Sequence, residues 1–427
     1  MLIQEVNWLR SHAKKLCPFL KRTILDQWYR PHRRIPCFIH RPFKYFYQRW
    51  RKIPVIVQFE PTRDCESAKD IAQTVGCPVE RELKLINAFS TRVNIKNLQL
   101  LLQDKNVKKV WYDREVRAVL DTASTTVQAK TAWPEGITGK GIGVAVLDTG
   151  IYNHPDLAGR IVAFKDFIKN ETSPYDDNGH GTHVAGDIAS NGSQSDSRYR
   201  APASEANIIG VKVLDKMGSG SISNVIDGVQ WSIENSKKYN IRILNLSLGS
   251  EATESYQDDP LCLALEKAWN NGLVVCAAAG NDGPDTKTIN SPGIHPKIIT
   301  VGAVNDRNNN MQIADFSSRG PTVDGLRKPD VLAPGVNIVS LRAPGSTTDN
   351  SNKHSRVDAH YTSLSGTSMA TPICAGVIAQ MLQVNPNLKP DQVKNILMST
   401  ARKLPNVDQN VQGEGVIDAG KAINRVK

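Results

Sequence analysis

"GIGVAVLDTG" (residues 141–150) is an apolar run opened by glycines and closed by an acid and a further glycine. Val144, Ala145, Val146 and Leu147 follow one another without polar alternation, so a strand here is buried on both faces, as in a parallel sheet covered by helices. Asp148 then stands at the strand's carboxyl end, where open α/β sheets place their working residues. Taken alone, Asp148 is read more simply as a cap on the following turn. The glycines of "GKGIG" (139–143) precede the strand instead of following it, which excludes a dinucleotide-binding turn.

Working outward, "NIIGVKVL" (207–214), "IRILNLSL" (241–248), "LVVCAAAG" (273–280) and "KIITVGAV" (297–304) repeat the pattern between helical stretches. The region from about Lys130 onward therefore reads as an α/β domain with a doubly wound, mostly parallel sheet flanked by helices. The chain has 427 residues, 40% hydrophobic and 22% charged, enough for two or three soluble domains.

The net charge of +11 is concentrated at the start, where residues 1–52 hold 13 Lys and Arg against Glu5 and Asp26, and 10 of the 26 aromatic residues. This stretch is treated as a basic, aromatic-rich arm. Leu2, Val6, Leu9, Ala13 and Leu16 recur at helical spacing within it, and "RPHRRIPCFIHRPFKYFYQRWRK" (30–52) is too rich in Pro, Arg and aromatics for one regular element. Two readings stay open: the arm packs on the rest of the chain, or it binds an anionic surface, either membrane or nucleic acid.

Residues 53–113 change character. "IPVIVQF", "ESAKDIAQTVG", "VERELKLI", "AFSTRVNI", "KNLQLLLQD" and "VKKVWYD" read in turn as strand, helix, two strands, helix and strand, a small ferredoxin-like α+β domain. "REVRAVLDTASTTVQA" (114–129) reads as an extended connector. The expected domains are thus 1–52, 53–122 with the connector, and 127–427. The arm is too broken by charge for a secretory signal, and no 18-residue apolar run suggests a membrane span. Seven scattered cysteines without C-x-x-C spacing argue against a disulfide framework or zinc site, so a reducing, cytoplasmic setting is expected.

Three further segments bear chemistry. "DDNGHGTHVAGDIAS" (176–190) carries His180 and His183 before a small-residue helix; H-E-x-x-H spacing is absent, so a metal is not favoured, and one imidazole could act as a base oriented by Asp148. "SLSGTSMATPICAG" (363–376) offers Ser368 as a nucleophile at a helix start, with Pro372 in the first turn and Thr367, Ser365 and Thr371 as turn, cap and packing residues. "LVVCAAAGNDGP" ends a strand at Gly280 and presents Asn281, whose amide and the Ser368 N–H would make a two-donor oxyanion hole; a left-handed turn position is the plainer reading of Asn281 alone.

"VLDTGI", "HGTHVAG", "AAAGN" and "SGTSMATP", in this order, resemble the signature segments of the subtilisin-like serine proteases, the subtilases, and "FSSRGP" and "KPDVLAPG" resemble further landmarks of that family. The resemblance spans about residues 130–427. It implies a subtilisin-like fold and a serine endopeptidase acting on polypeptides with no cofactor needed for the chemistry. It further implies Asp148, His180 and Ser368 as the triad, Asn281 as oxyanion donor, and His183 as structural. Ser247, Leu248 and Gly249 would be the strand that pairs with substrate, and Ala278, Ala279 and Gly280 the facing wall of an apolar P1 pocket. With its basic arm, the whole chain is similar in layout to the AprX-type subtilases of bacilli.

On this resemblance residues 53–122 would be an inhibitory propeptide, its connector "VRAVLD" (116–121) lying along the Gly249 strand with Leu120 as P1 residue. Asp156, in "HPDL", matches a family calcium ligand, whereas "SNGSQSDSRYR" (190–200) does not match the calcium loop. Calcium takes six to eight oxygens, so a structural calcium ion at Asp156 stays an open expectation. A catalytically silent, peptide-binding relative would need a broken triad, and none of the four positions is broken.

Overall fold

A computed structural model describes residues 8, 11–24, 52–60, 71–72, 74–83, 87–112, 120–306 and 311–427. The chain divides into two compact units, Met1–Arg117 and Ala118–Lys427.

In the first unit β1 (Ile53–Phe59), β2 (Arg81–Leu83), β3 (Ala88–Val93) and β4 (Val107–Tyr112) form one sheet in the order β2-β3-β1-β4. β1 is antiparallel to both of its neighbours, and β3 is inserted between β1 and β2, the arrangement of a split β-α-β unit. Burial along β1 alternates, so Ile53, Val55, Val57 and Phe59 enter the core while their neighbours do not. Helix α1 (Pro18–Ile24) precedes this sheet, and α2 (Ile95–Gln103) starts at Asn94, whose side chain accepts from the Asn97 N–H at 2.9 Å. α2 buries Leu98, Leu101 and Leu102.

The described part of the arm does not stand apart from this unit. Leu16 forms a parallel bridge with Val110 of β4, and Leu16, Leu20 and Ile24 belong to the same buried cluster as β1. Lys15 Nζ donates to the carbonyls of Leu102 and Asp104 at the carboxyl end of α2, where a cation is favoured. The helix expected over Leu2–Leu16 lies partly outside the described residues; residues 12–15 are a turn. Each of these three apolar side chains contributes ~1.5–3 kcal/mol by burial. In a Ser368→Ala background, deleting residues 1–24 is expected to open residues 53–112 to added trypsin; a tail that only tethers predicts an unchanged digest.

The expected extended connector is corrected in its second half. Helix α3 (Leu120–Thr126) occupies it, with Ala123 and Val127 in the core of the second unit and Ser124 Oγ donating to the Arg200 carbonyl at 2.9 Å. Leu120 opens a helix, which is incompatible with an extended P1 residue. Residues 113–119 lie outside the described residues.

In the second unit β5 (Gly143–Asp148), β6 (Ile161–Asp166), β7 (Asn207–Lys212), β8 (Ile241–Leu246), β9 (Val274–Ala278), β10 (Ile299–Asn305) and β11 (Gln312–Ile313) lie in the order β11-β10-β9-β8-β5-β7-β6, with β12 (Val331–Pro334) also on β10. Every pair is parallel except β10–β11. Helix α4 (His180–Ala189) follows β6, α5 (Ile222–Glu234) follows β7, and α6 (Pro260–Asn270) follows β8. After the ribbon β13 (Ile338–Leu341) and β14 (Tyr361–Leu364) comes the long helix α7 (Thr367–Val384). α4 packs on α7 and α5 on α6, giving the doubly wound layers.

After β5 the chain builds β6 and β7 on one side of it, then returns to build β8, β9 and β10 on the other. The carboxyl end of β5 is thus a topological switch point, where a crevice opens between diverging connections. α7 meets the length and hydropathy of a membrane span, yet it is buried for most of its length in this unit.

Candidate active site

Asp148 ends β5 at the switch point with no exposed surface. Its Oδ1 accepts from the Thr149 N–H at 2.7 Å and from His180 Nδ1 at 2.8 Å, which fixes the proton of His180 on Nδ1 and leaves Nε2 as the basic nitrogen. His180 is the first residue of α4, its own N–H donating to Asn178 Oδ1 at 3.1 Å. The turn before it is tied down by Asp176, whose carboxylate accepts from the Thr149 and Thr182 hydroxyls and the N–H groups of Asn178, Gly179 and Thr182. Burial of the imidazolium lowers the His180 pKa, but the charge and hydrogen bond of Asp148 outweigh it, and the net shift is upward. The buried Asp148 Oδ2 has no hydrogen-bond partner among the described residues.

Ser368 is the second residue of α7, so its N–H is among those that no intrahelical carbonyl reaches. The helix begins two residues earlier than "MATPICAGVIAQML" alone suggests, and Pro372 falls in the second turn, not the first. Having no N–H, Pro372 leaves the Ser368 carbonyl without its i+4 donor. Ser247 Oγ takes that place at 2.8 Å, pinning the end of β8 to the start of α7. Ser368 Oγ in return donates to the Ser247 carbonyl at 3.0 Å. Among the described residues no hydrogen bond joins Ser368 Oγ to His180.

Asn281 lies just past β9. Its Oδ1 accepts from the Thr367 N–H at 2.9 Å and the Thr367 hydroxyl at 3.1 Å, which directs its amide nitrogen the other way. The same hydroxyl accepts from the Gly280 N–H at 3.2 Å. Thr367 is more than the turn or packing residue read from the sequence. Only its place beside Ser368 hinted at this, since its partners lie some 87 residues away in the chain.

His180, Asn281 and Ser368 line one cleft of about 650 Å³, with Ser247, Leu248 and Gly249 along one edge and Gly218, Ser219 and Gly220 along another. Leu214, Val225, Leu248 and Leu261 contribute apolar surface to it, as do the exposed Met217 and Ile222. Ala278, Ala279 and Gly280 are buried behind it and are not among its lining residues. Lys212, unremarked in the sequence, is a fully buried cation whose Nζ donates to the Thr149 and Leu214 carbonyls and to Asp177, bracing the segment after Asp148.

His183, the second imidazole, faces away: Nδ1 meets Asp187 Oδ2 at 3.0 Å and Nε2 the Ile338 carbonyl at 3.1 Å, all buried. Asp156 does not fit a calcium ion. Its Oδ1 accepts from Ser193 Oγ and the Gln194 N–H, its Oδ2 from Ser190 Oγ and Tyr361 Oη, at 2.6–3.0 Å. Those four neutral donors fill the lone pairs a cation would use. No group of three or more His, Cys, Asp and Glu suited to a metal occurs among the described residues.

The doubly wound sheet, with a serine, a carboxylate-held imidazole and an oriented amide at its switch point, defines a subtilisin-like serine endopeptidase. The chain belongs to the Subtilase family, whose profile matches residues 139–415. It is 48% identical to "Serine protease AprX" of Bacillus subtilis (strain 168), over 98% of both chains. It is 36% identical to "Subtilisin E" of the same organism over 86% of this chain and 89% of that one. A "Thermostable alkaline protease" of Halalkalibacterium halodurans matches at 36% identity over 83% of this chain and 88% of its own.

Proposed function

We propose that this serine endopeptidase works through Ser368, His180 and Asp148, with Asn281 and the Ser368 N–H as the oxyanion hole. The 2.8 Å bond between Asp148 and His180 Nδ1, in the cleft that Ser368 lines, carries the assignment. An extended peptide lies along Ser247–Gly249, bonded by its backbone. Ser368 Oγ turns from the Ser247 carbonyl toward His180 Nε2, gives up its proton there and attacks the peptide carbonyl; His180 passes that proton to the departing amine, and water releases the acyl group by the same route. The Leu and Val side chains among the cleft's lining residues favour apolar substrate side chains. The chemistry draws on no cofactor.

A fluorophosphonate probe is expected to label one peptide, that containing Ser368. Label on another residue, or label persisting in Ser368→Ala, overturns the assignment. Asn281→Ala is expected to lower kcat by about 10²- to 10³-fold with little change in KM, a magnitude carried over from the corresponding donor of subtilisin. Loss confined to KM would remove Asn281 from the oxyanion hole.

We further infer that the ferredoxin-like unit around residues 53–112 inhibits the catalytic unit as a propeptide. Its split sheet and the family's peptide-binding edge support this reading. Residues 1–117 added in trans to the separated catalytic unit are expected to inhibit it competitively; unchanged activity at high excess sinks the idea.

A further inference from the structure

β13 and β14 are antiparallel neighbours, and Leu341 pairs directly with Tyr361. Such strands are commonly joined by two to five residues; here residues 342–360 intervene, forming a short helix (Thr347–Ser351) and a 3₁₀ turn (Lys353–Ser355). Asp349, with its side chain 3% exposed, stands at the centre of this excursion.

Arg342 grips Asp349 from one side, Nε to Oδ1 at 2.6 Å and Nη2 to Oδ2 at 3.0 Å. Arg356 grips it from the other, at 2.6 and 2.9 Å, and also donates to the Asp349 carbonyl. The Gly345 N–H adds a fifth contact to the carboxylate. Two bidentate guanidiniums on one buried carboxylate make a directional joint, not a loose surface ion pair. The Arg342 guanidinium, more than its other partners, holds the Asp349 carboxyl well below the usual carboxylate range.

The residues that this joint immobilises sit on the turn leading into His180. The Thr347 N–H donates to the Asp177 carbonyl at 3.0 Å and the Thr348 N–H to the Asn178 carbonyl at 2.8 Å. Thr348 Oγ1 donates to Asn178 Oδ1 at 3.3 Å, the oxygen that also receives the His180 N–H. Asn178 Nδ2 donates to the Lys216 carbonyl at 3.0 Å. Gly179, at φ +102°, allows the close approach, because a Cβ there would lie 2.5 Å from Ser346 Oγ. Thr348 is itself one of the residues that line the cleft, as are Asn178 and His180.

We propose that residues 342–360 are a strap, locked by Arg342, Asp349 and Arg356, that positions the Asn178–His180 turn and makes Thr348 a specificity-determining wall for the substrate side chain bound beside His180. Asp349 acts as a positioning residue through the strap; Thr348 meets the substrate. The inference rests on the assignment of His180 to the triad.

The test uses the full chain and peptides varied, glycine against phenylalanine, at one position at a time from P3 to P1′. Thr348→Leu narrows the cleft, so the kcat/KM ratio of phenylalanine to glycine is expected to fall by about tenfold at one position, with the other positions responding less than twofold; tenfold is ~1.4 kcal/mol. Asp349→Asn releases the strap and is expected to move the same ratio the opposite way, while kcat falls because the His180 turn loosens. If that variant does not fold, Arg356→Lys, which keeps the charge and loses the fork, replaces it. A ratio that does not respond to Thr348→Leu, or a strap variant that lowers only the melting temperature, overturns the proposal. Ser368→Ala measured alongside separates the two readings: its retaining activity would refute the triad, whereas an inactive Ser368→Ala with unmoved ratios refutes the strap alone.

Discussion

Ser368→Ala is expected to lower peptide hydrolysis by about 10⁶-fold, the loss found when subtilisin itself is deprived of its nucleophile. The fold should survive. The hydroxyl makes one hydrogen bond, to the Ser247 carbonyl, worth ~0.5–1.5 kcal/mol, and the Ser368 main chain stays held by Ser247 Oγ. The methyl group of alanine fits wherever the serine fitted. A melting temperature within a few degrees of the parent, together with hydrolysis near the uncatalysed rate, is the expected pair of measurements. Activity within a hundredfold of the parent would mean that another residue is the nucleophile.

The second large effect is at Asp148. Asp148→Asn preserves size but removes the charge that balances imidazolium and turns one of the two acceptor oxygens into a donor, so the proton is no longer fixed on Nδ1, and about a 10⁴-fold loss of kcat is expected. A pH profile checks the cause. In the parent, the Asp148 carboxylate raises the His180 pKa against the opposing pull of burial. The basic imidazole is therefore lost as pH falls through that raised value, which sets the acid limb of kcat/KM. Without the carboxylate, burial prevails and the pKa drops, so the limb should move to lower pH. A limb that stays put or moves up would show that Asp148 does not govern His180.

The strand carrying Asp148 was readable because every residue of β5 is buried, and two-sided burial leaves an unbroken apolar run. Glycines and small residues crowd the backbone around His180, Asn281 and Ser368, which marks in the sequence three residues that line one cleft. Where the reading failed, the cause lies in distant partners. "LDTASTT" has weak helix formers, yet it is a helix because Ala123 and Val127 find a core and Ser124 finds Arg200. The "HPDL" context alone gives Asp156 the resemblance to a calcium ligand, since Tyr361, which bonds it at 2.6 Å, lies 205 residues further on. The strap left no trace in periodicity, since Arg342, Asp349 and Arg356 matter only once the excursion has closed on itself.

The helix that carries Ser368 is enclosed on nearly all sides. α7 touches β8, β9, β10, β12 and α4, together with the carboxyl-terminal helix Ala419–Val426, and every residue from Met369 to Leu382 is buried. Local fraying between Met369 and Leu382 exposes nothing without first separating the sheet from its covering layer, so the amides of that stretch are expected to exchange with solvent only when the whole unit opens. For a serine endopeptidase, this ties the exposure of the stretch that follows Ser368 to global unfolding instead of to local opening.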